Sequence, residues 1–384
     1  MSLKDKYAIV GIGYTPQGCV PNRTALSFHV EACANAILDA GLKREEVDGL
    51  ICYRHFPPSP GDFEVTPYLV AQHLGLKPNM LSQEANCART HLHHAIGALE
   101  MGLCNYVVVS YGVNAFSGSS GFRSTSHDDP PFGQFGAAAA YAMAARRAMH
   151  EFHTGPETWK EIVVSQRKWA NLNPIATMHD RTMTYDDYFN SRWIVEPFRL
   201  PDCCLISDGG RAYVITSTER ARDLRHRPAV LTGLGQHNTP CEIAQSTHMT
   251  GSTGAKIAGE MAFKMAGITI NDIDACEIYD CFSYTVELTL QDYGFFMPGE
   301  GESWFKNGGT APGGRIPVNT SGGLLSETYF MGLTPITEGA MQIMGRCGNR
   351  QLGPKTGNKE PELILCSDNG AIFQSSCCAI LRRL

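Results

Sequence analysis

Cys87, in the run Ser82-Gln83-Glu84-Ala85-Asn86-Cys87-Ala88-Arg89, is a cysteine at a helix N-terminus and so has functional potential. The run leads into a helix that ends near Gly102, and a helix N-terminus favours a thiolate through its dipole and its unpaired amides. His91, His93 and His94 follow on the same helix, with His91 and His94 on one face at i and i+3. They could serve a nearby site, but no acidic partner is identifiable, which favours packing or surface roles. For Cys87 the competing reading is a small buried side chain, since cysteine is among the most buried residue types.

Other groups suggest less chemistry. The chain holds 14 cysteines, and Cys276, Cys366, Cys377 and Cys378 lie inside apolar, strand-like runs, as small buried hydrophobes do in a reducing compartment. The adjacent pairs Cys203-Cys204 and Cys377-Cys378 lack the CxxC spacing of a zinc site, so no metal is expected. Gly11-Ile12-Gly13 lacks the third glycine of a dinucleotide fingerprint, and no helix opens directly after it. It reads as a buried strand leaving through a Gly-rich turn, and no permanently bound cofactor is expected.

A chain of 384 residues with 43% hydrophobic and 18% charged residues suits two globular domains or one duplicated unit. Its net charge of -6, with basic residues scattered, argues against a nucleic-acid stripe or a polybasic membrane patch. The first residues lack the apolar segment of a secretory signal, and the longest uncharged apolar stretch, Ala137 to Ala145, stops at Arg146-Arg147. A cytoplasmic enzyme acting on a small molecule is the expectation.

An internal repeat organises the sequence. Residues 36–53 read AILDAGLKREEVDGLICY and residues 262–279 read AFKMAGITINDIDACEIY, in ungapped register at a constant offset of 226. Each copy predicts a helix closed by a C-cap glycine, Gly41 or Gly267, then a turn and a strand. Before each helix stands a β-rich run containing Gly-x-Gly, at residues 7–13 and 229–235. Further strands are expected at residues 106–110, 212–216 and 362–366. Such runs alternating with helices predict mixed or parallel sheets covered by helices. Between residues 114 and 200 the pattern becomes Gly-, Ser- and Pro-rich, broken by helices at Phe135 to His150 and Glu157 to Asn171, which predicts an inserted loop subdomain. The halves are expected at residues 1–225 and 226–384.

Four segments resemble the thiolase superfamily, and more specifically its sterol-carrier-protein and lipid-transfer-protein branch. Ile278-Tyr279-Asp280-Cys281-Phe282-Ser283 resembles that branch's His-Asp-Cys-Phe-Ser segment, which ordinary thiolases write Asn-Glu-Ala-Phe. Residues 318–324 resemble the Asn-Pro-Ser-Gly-Gly run that precedes a Gly-His-Pro motif. Residues 207–212 are similar to the Asp-Gly-Ala-Ala stretch ending the N-terminal half, and Asp368-Asn369-Gly370 to the final loop before the last strand. The resemblance covers nearly the whole chain. It implies an α/β fold of five layers, α-β-α-β-α, with pseudo-twofold halves, usually assembled as a dimer or larger.

The resemblance also implies a site for an acyl-CoA, with coenzyme A as part of the substrate. Its nucleophilic cysteine corresponds to Cys87, although counting back from Gly102 with the family's spacing lands on Ala85. Where thiolases place Asn or His and then the His of Gly-His-Pro around the thioester carbonyl, this chain carries Tyr279 and Tyr329. A phenol donates to an oxyanion and retains acid-base capacity without imidazole's neutral-pH basicity. The pattern resembles thiolase-like aldolases that shorten steroid side chains together with a small OB-fold partner, and implies retro-aldol cleavage of a β-hydroxyacyl-CoA. Packing of both tyrosines in the core is the bland alternative. Cys281 stands where the branch keeps a cysteine proposed as acid-base, which leaves open an acyltransferase using Cys87. A third reading is a non-catalytic lipid-binding or scaffold subunit. Asp280 either orients Tyr279 or caps a helix, and Cys366 reads as structural.

Overall fold

The computed structural model describes residues 3–53, 65–84, 90–118, 136–239, 249–251, 253–370 and 372–384. The chain begins with β1 (Tyr7–Tyr14), α1 (Ala25–Ala40), β2 (Gly49–Tyr53), α2 (Pro67–Leu74), β3 (Met80–Glu84), α3 (Thr90–Glu100) and β4 (Tyr106–Asn114). The insertion carries α4 (Gly136–Phe152), α5 (Pro156–Ala170), α6 (Tyr185–Asn190) and a short hairpin of β5 (Trp193–Val195) and β6 (Phe198–Arg199). Then come β7 (Asp208–Ser217) and α7 (Thr218–Ala221). After them run β8 (Ala229–Asn238), α8 (Gly254–Ala266), β9 (Ala275–Glu277), α9 (Ser283–Tyr293), α10 (Gly301–Phe305), α11 (Gly323–Ser326), α12 (Leu333–Met344), β10 (Leu363–Gly370) and β11 (Ser375–Arg383).

Among the described residues nine strands join in the order β3-β2-β4-β7-β1-β8-β11-β10-β9, with parallel and antiparallel neighbours. The first five and the last four meet where β1 pairs antiparallel with β8, over Tyr7 to Ile9 against Ala229 to Leu231. Because successive strand residues face opposite ways, the strands sort their apolar side chains into three cores. Ala8 and Val10 pack with Ala32 and Ala36 of α1 and Val70 of α2. Tyr7 and Ile9 share a second core with Leu92 and Ile96 of α3, Ile336 and Ile343 of α12, and Leu231, Ile364 and Leu381 from the later strands. The opposite face of those later strands, through Leu365, Cys378 and Ile380, meets α8 and α9. Helices thus cover the outer faces of both halves of one mixed sheet, and α3 and α12 share a core with strands of both halves, which is a layered α/β arrangement as expected.

The repeat is visible as packing. Gly41 and Gly267 close α1 and α8 in the left-handed region, at φ 77 and 68°, as the C-cap reading expects. Gly11 and Gly13 lie within β1, not in a turn at its exit, and this corrects the sequence reading. A Cβ on Gly11 or Gly13 would strike the carbonyl oxygens of Ala36 and Ala32 of α1, and one on Gly233 or Gly235 would strike those of Ala262 and Ala258 of α8. The Gly-x-Gly pairs therefore let each helix backbone lie directly on its strand. Both copies use the same device at equivalent alanines.

The insertion keeps its two expected helices, α4 and α5, and adds a small hairpin that the sequence pattern does not signal. Asp368, Asn369 and Gly370 form the end of β10, paired with Cys377, Ser376 and Ser375 of β11. They extend the ladder where a loop was expected.

Candidate active site

Two chain segments are drawn together beyond the end of β9. Val318 bridges to Cys276 in parallel, with the Cys276 amide donating to Pro317 O at 2.9 Å and the Asn319 amide to Cys276 O at 2.9 Å. Asn319 sits at φ 55°, a conformation asparagine tolerates better than most residues. Its Oδ1 accepts from the Ile278 amide at 2.6 Å. Next to it the Asp280 carboxylate accepts from the amides of Leu324 and Leu325 at 2.9 and 3.2 Å. Asp280 thus caps a helix as expected, but caps α11 from across the site and not the helix that follows it. Burial pushes its carboxyl up to about 7, against the pull of those amides.

These connections deliver two phenols to one point. The hydroxyls of Tyr279 and Tyr329 lie 2.8 Å apart, with the rings edge to face at 6.4 Å between centroids. The side chains are nearly buried, Tyr279 at 4% and Tyr329 at 7% exposure. Behind them, the Tyr279 amide donates to Ser367 Oγ at 3.0 Å and the Tyr329 amide to Ser207 Oγ at 3.3 Å. The Tyr329 segment is fastened to β7 by a buried ion pair, Arg211 with Glu327 at 2.5 Å. The same guanidinium lies over the rings of Tyr14 and Phe330, at 4.5 and 5.5 Å.

Burial holds both phenols well above the ordinary phenol value, and for Tyr279 the neighbouring Tyr329 adds to the effect. Both are neutral at physiological pH. The Tyr329 hydroxyl donates to the thioether of Met331 at 2.8 Å, and that sulfur lies 3.8 Å from the Tyr279 hydroxyl. Met331 itself holds φ 53°, a strained conformation for an unbranched, non-glycine residue and of a kind that gathers at functional sites.

Cys281 is buried beside the pair, its thiol pushed up to about 12 by burial, so it stays protonated at neutral pH. Cys87 and Ala85 lie outside the described residues. The three histidines of α3 differ: His91 is buried edge-on against Tyr53 at 5.3 Å, His93 is half-buried and His94 is exposed. Cys366 is buried in β10 against Gly339 of α12, which leaves it the packing role expected. Among the described residues no cluster of His, Cys, Asp or Glu could hold a metal ion.

Sequence reasoning missed Tyr141, which α4 of the insertion brings into the same core. Its hydroxyl donates to Asn369 Oδ1 at 3.1 Å, and its ring packs 4.9 Å from Phe282 and 4.8 Å from Phe373. The available signal was a lone aromatic residue within the alanine-rich run from Gly136 to Ala145.

The Thiolase C-terminal domain-like family matches residues 235–383. A "Steroid side-chain-cleaving aldolase" of Thermomonospora curvata is 34% identical over 365 residues, covering 89% of this chain and 91% of that protein. A "17-hydroxy-3-oxo-4-pregnene-20-carboxyl-CoA lyase" of Mycobacterium tuberculosis is 33% identical over 375 residues, covering 91% and 95%. Among solved structures, an "Ltp2-ChsH2(DUF35) aldolase" superposes with a TM-score of 0.87 at 32% identity, over 99% of this chain and 98% of that one. With a doubled, layered α/β fold and this degree of likeness, the chain belongs to the thiolase superfamily, in the thiolase-like group that includes the steroid side-chain-cleaving aldolases.

Proposed function

We propose that this enzyme cleaves a β-hydroxyacyl-CoA by a retro-aldol reaction, giving a carbonyl compound and a shortened acyl-CoA. The observation that carries this reading is the 2.8 Å contact between the Tyr279 and Tyr329 hydroxyls, buried together where thiolases place imidazole or amide groups.

The proton inventory of the reaction suits two neutral phenols. The β-hydroxyl must lose a proton as its carbon becomes a carbonyl, the Cα–Cβ bond breaks, and its electron pair passes into the thioester enolate. That enolate needs one proton at Cα. A hydrogen-bonded phenol pair relays it: the substrate hydroxyl gives its proton to Tyr279, Tyr279 gives its own to Tyr329, and Tyr329 protonates the enolate. Neither phenol has to ionise, which fits groups whose burial disfavours the phenolate. The contact allows either hydroxyl to donate; the relay needs Tyr279 to donate to the Tyr329 oxygen, which is open to it while Tyr329 donates to the nearer Met331 sulfur. A thioether is a weak acceptor, so an enolate displaces it readily.

Coenzyme A enters as part of the substrate, and the relative from M. tuberculosis, named as a CoA lyase, supports that class. We assign the chain to the cytoplasm, where the 12 described cysteines, all free thiols, would stay reduced. We also propose that it works with a small partner protein, expected to be an OB-fold one, since its solved relative is named for two components, and that it forms a homodimer, which rests on the family resemblance alone.

The test is product analysis with a β-hydroxyacyl-CoA, with and without such a partner, together with the intact mass of the protein. Carbonyl product and shortened acyl-CoA in equal amounts, with the protein mass unchanged, are expected. An acyl group held on cysteine would replace this reading with a thiolase-type acyltransferase. Binding without turnover in either condition would leave a lipid-binding or scaffold subunit.

A further inference from the structure

Asn369 occupies a position that the two-tyrosine scheme does not use. It lies on the same face of β10 as Ser367 and Leu365, because strand residues two apart share a face. Ser367 holds the Tyr279 backbone, and Leu365 shares a core with Tyr279, Tyr329 and Tyr141. Asn369 therefore stands one step along that face from the anchor of Tyr279, and it is 5% exposed.

Its amide is oriented by the insertion. Tyr141 donates to Asn369 Oδ1. Oδ1 is thereby engaged, and Oδ1 and Nδ2 diverge from one carbon. The NH₂ group is turned away from Tyr141. The ring of Tyr141 is held between Phe282 and Phe373, so its hydroxyl has little freedom to release the amide.

We propose that the Asn369 Nδ2 group donates to the thioester oxygen as the enolate forms, and that Tyr141 is a positioning residue that aims it. This rests on the retro-aldol reading and adds what two phenols engaged in proton relay do not supply, a separate donor for the developing oxyanion. It also gives the insertion a share in the chemistry, since α4 must be seated on the core for the donor to be aimed.

Two rates test this on the full-length protein: single-turnover cleavage of a β-hydroxyacyl-CoA, and exchange of the α-hydrogen of a saturated acyl-CoA in deuterium oxide. Exchange requires the enolate but breaks no carbon-carbon bond. Asn369→Ala should lower both rates by about 10²-fold with KM nearly unchanged, the usual loss for one oxyanion donor. Tyr141→Phe should lower both by about 10-fold, within the range that misaimed groups cost. The double variant should be no slower than Asn369→Ala alone, because Tyr141 acts only through Asn369. Wild-type rates in Asn369→Ala, or losses that multiply in the double variant, overturn the proposal. A wild-type protein that exchanges but does not cleave removes the retro-aldol reading and leaves Asn369 to be judged on exchange; one that does neither removes both.

Discussion

Tyr53 and Tyr279 hold equivalent places in the two copies of the repeat, each at or just past the strand that follows a helix with a glycine C-cap. Their surroundings differ. Tyr53 packs edge-on against Tyr111 at 5.2 Å and His91 at 5.3 Å, as a core aromatic residue does. Tyr279 meets the hydroxyl of Tyr329, with Ser367 behind its backbone and Asp280 beside it tying down α11. The duplicated backbone delivers a phenol at both places, and Tyr279 becomes a candidate reagent because another segment sets a second phenol hydroxyl 2.8 Å from its own. That segment is held chiefly by the buried Arg211–Glu327 pair, which has no counterpart among the described residues of the first copy.

The contrast can be broken or sharpened by substitution. Tyr279→Phe and Tyr329→Phe are expected to lower kcat by about 10²- to 10⁴-fold, the span of a lost acid-base group, while Tyr53→Phe keeps nearly the wild-type kcat. Comparable losses in all three would erase the distinction between core and site. Arg211→Met leaves Glu327 charged and buried without its partner, at a cost of about 3–5 kcal/mol in denaturant unfolding. Adding Glu327→Leu should restore most of that stability without restoring kcat, because Tyr329 is no longer held in place.

Asp280 gives a pH signature. Its carboxyl is raised to about 7 in the fold, so the folded protein binds the proton more tightly than the unfolded chain. Its contribution is complete below the ordinary carboxyl range and is lost as pH rises through about 7. Measured by unfolding at several pH values, the stability of wild type relative to Asp280→Asn should therefore fall from acid to neutral pH and level off above. A difference that grows with pH would show that the charged carboxylate is the favoured cap. The smallest effects are expected from the packing both copies share. Gly13→Ala and Gly235→Ala should each destabilise by about 1–3 kcal/mol through overpacking, and to a similar degree. Unequal losses would mean that the two helices do not rest on their strands in the same way.

Much of the fold was legible because its signals are local. The C-cap glycines, the alternating strands and the ungapped register of residues 36–53 with 262–279 all act over a few neighbouring residues. Tyr279 and Tyr329 could be marked because each stands inside a short recognisable run. Their 2.8 Å contact could not, since it depends on Asn319 and Asp280 pinning two segments that are distant in sequence. Gly11-Ile12-Gly13 misled as an exit turn because what a glycine makes room for, here α1, lies outside its own strand. Tyr141 was missed for a related reason: an aromatic residue in an alanine-rich helix does not reveal which core receives it. Asn369 was expected in a loop because Asp368-Asn369-Gly370 resembles the branch's final loop, whereas pairing with β11 keeps it in a strand.

The dependence of the single-turnover cleavage rate on pH tests the central claim most directly. If two buried, neutral phenols pass the proton between them, the rate should stay flat from about pH 7 to 10, because burial holds both groups protonated across that range. A rate that climbs tenfold per pH unit through the same interval would mean that a tyrosinate must form first, and would contradict the neutral relay.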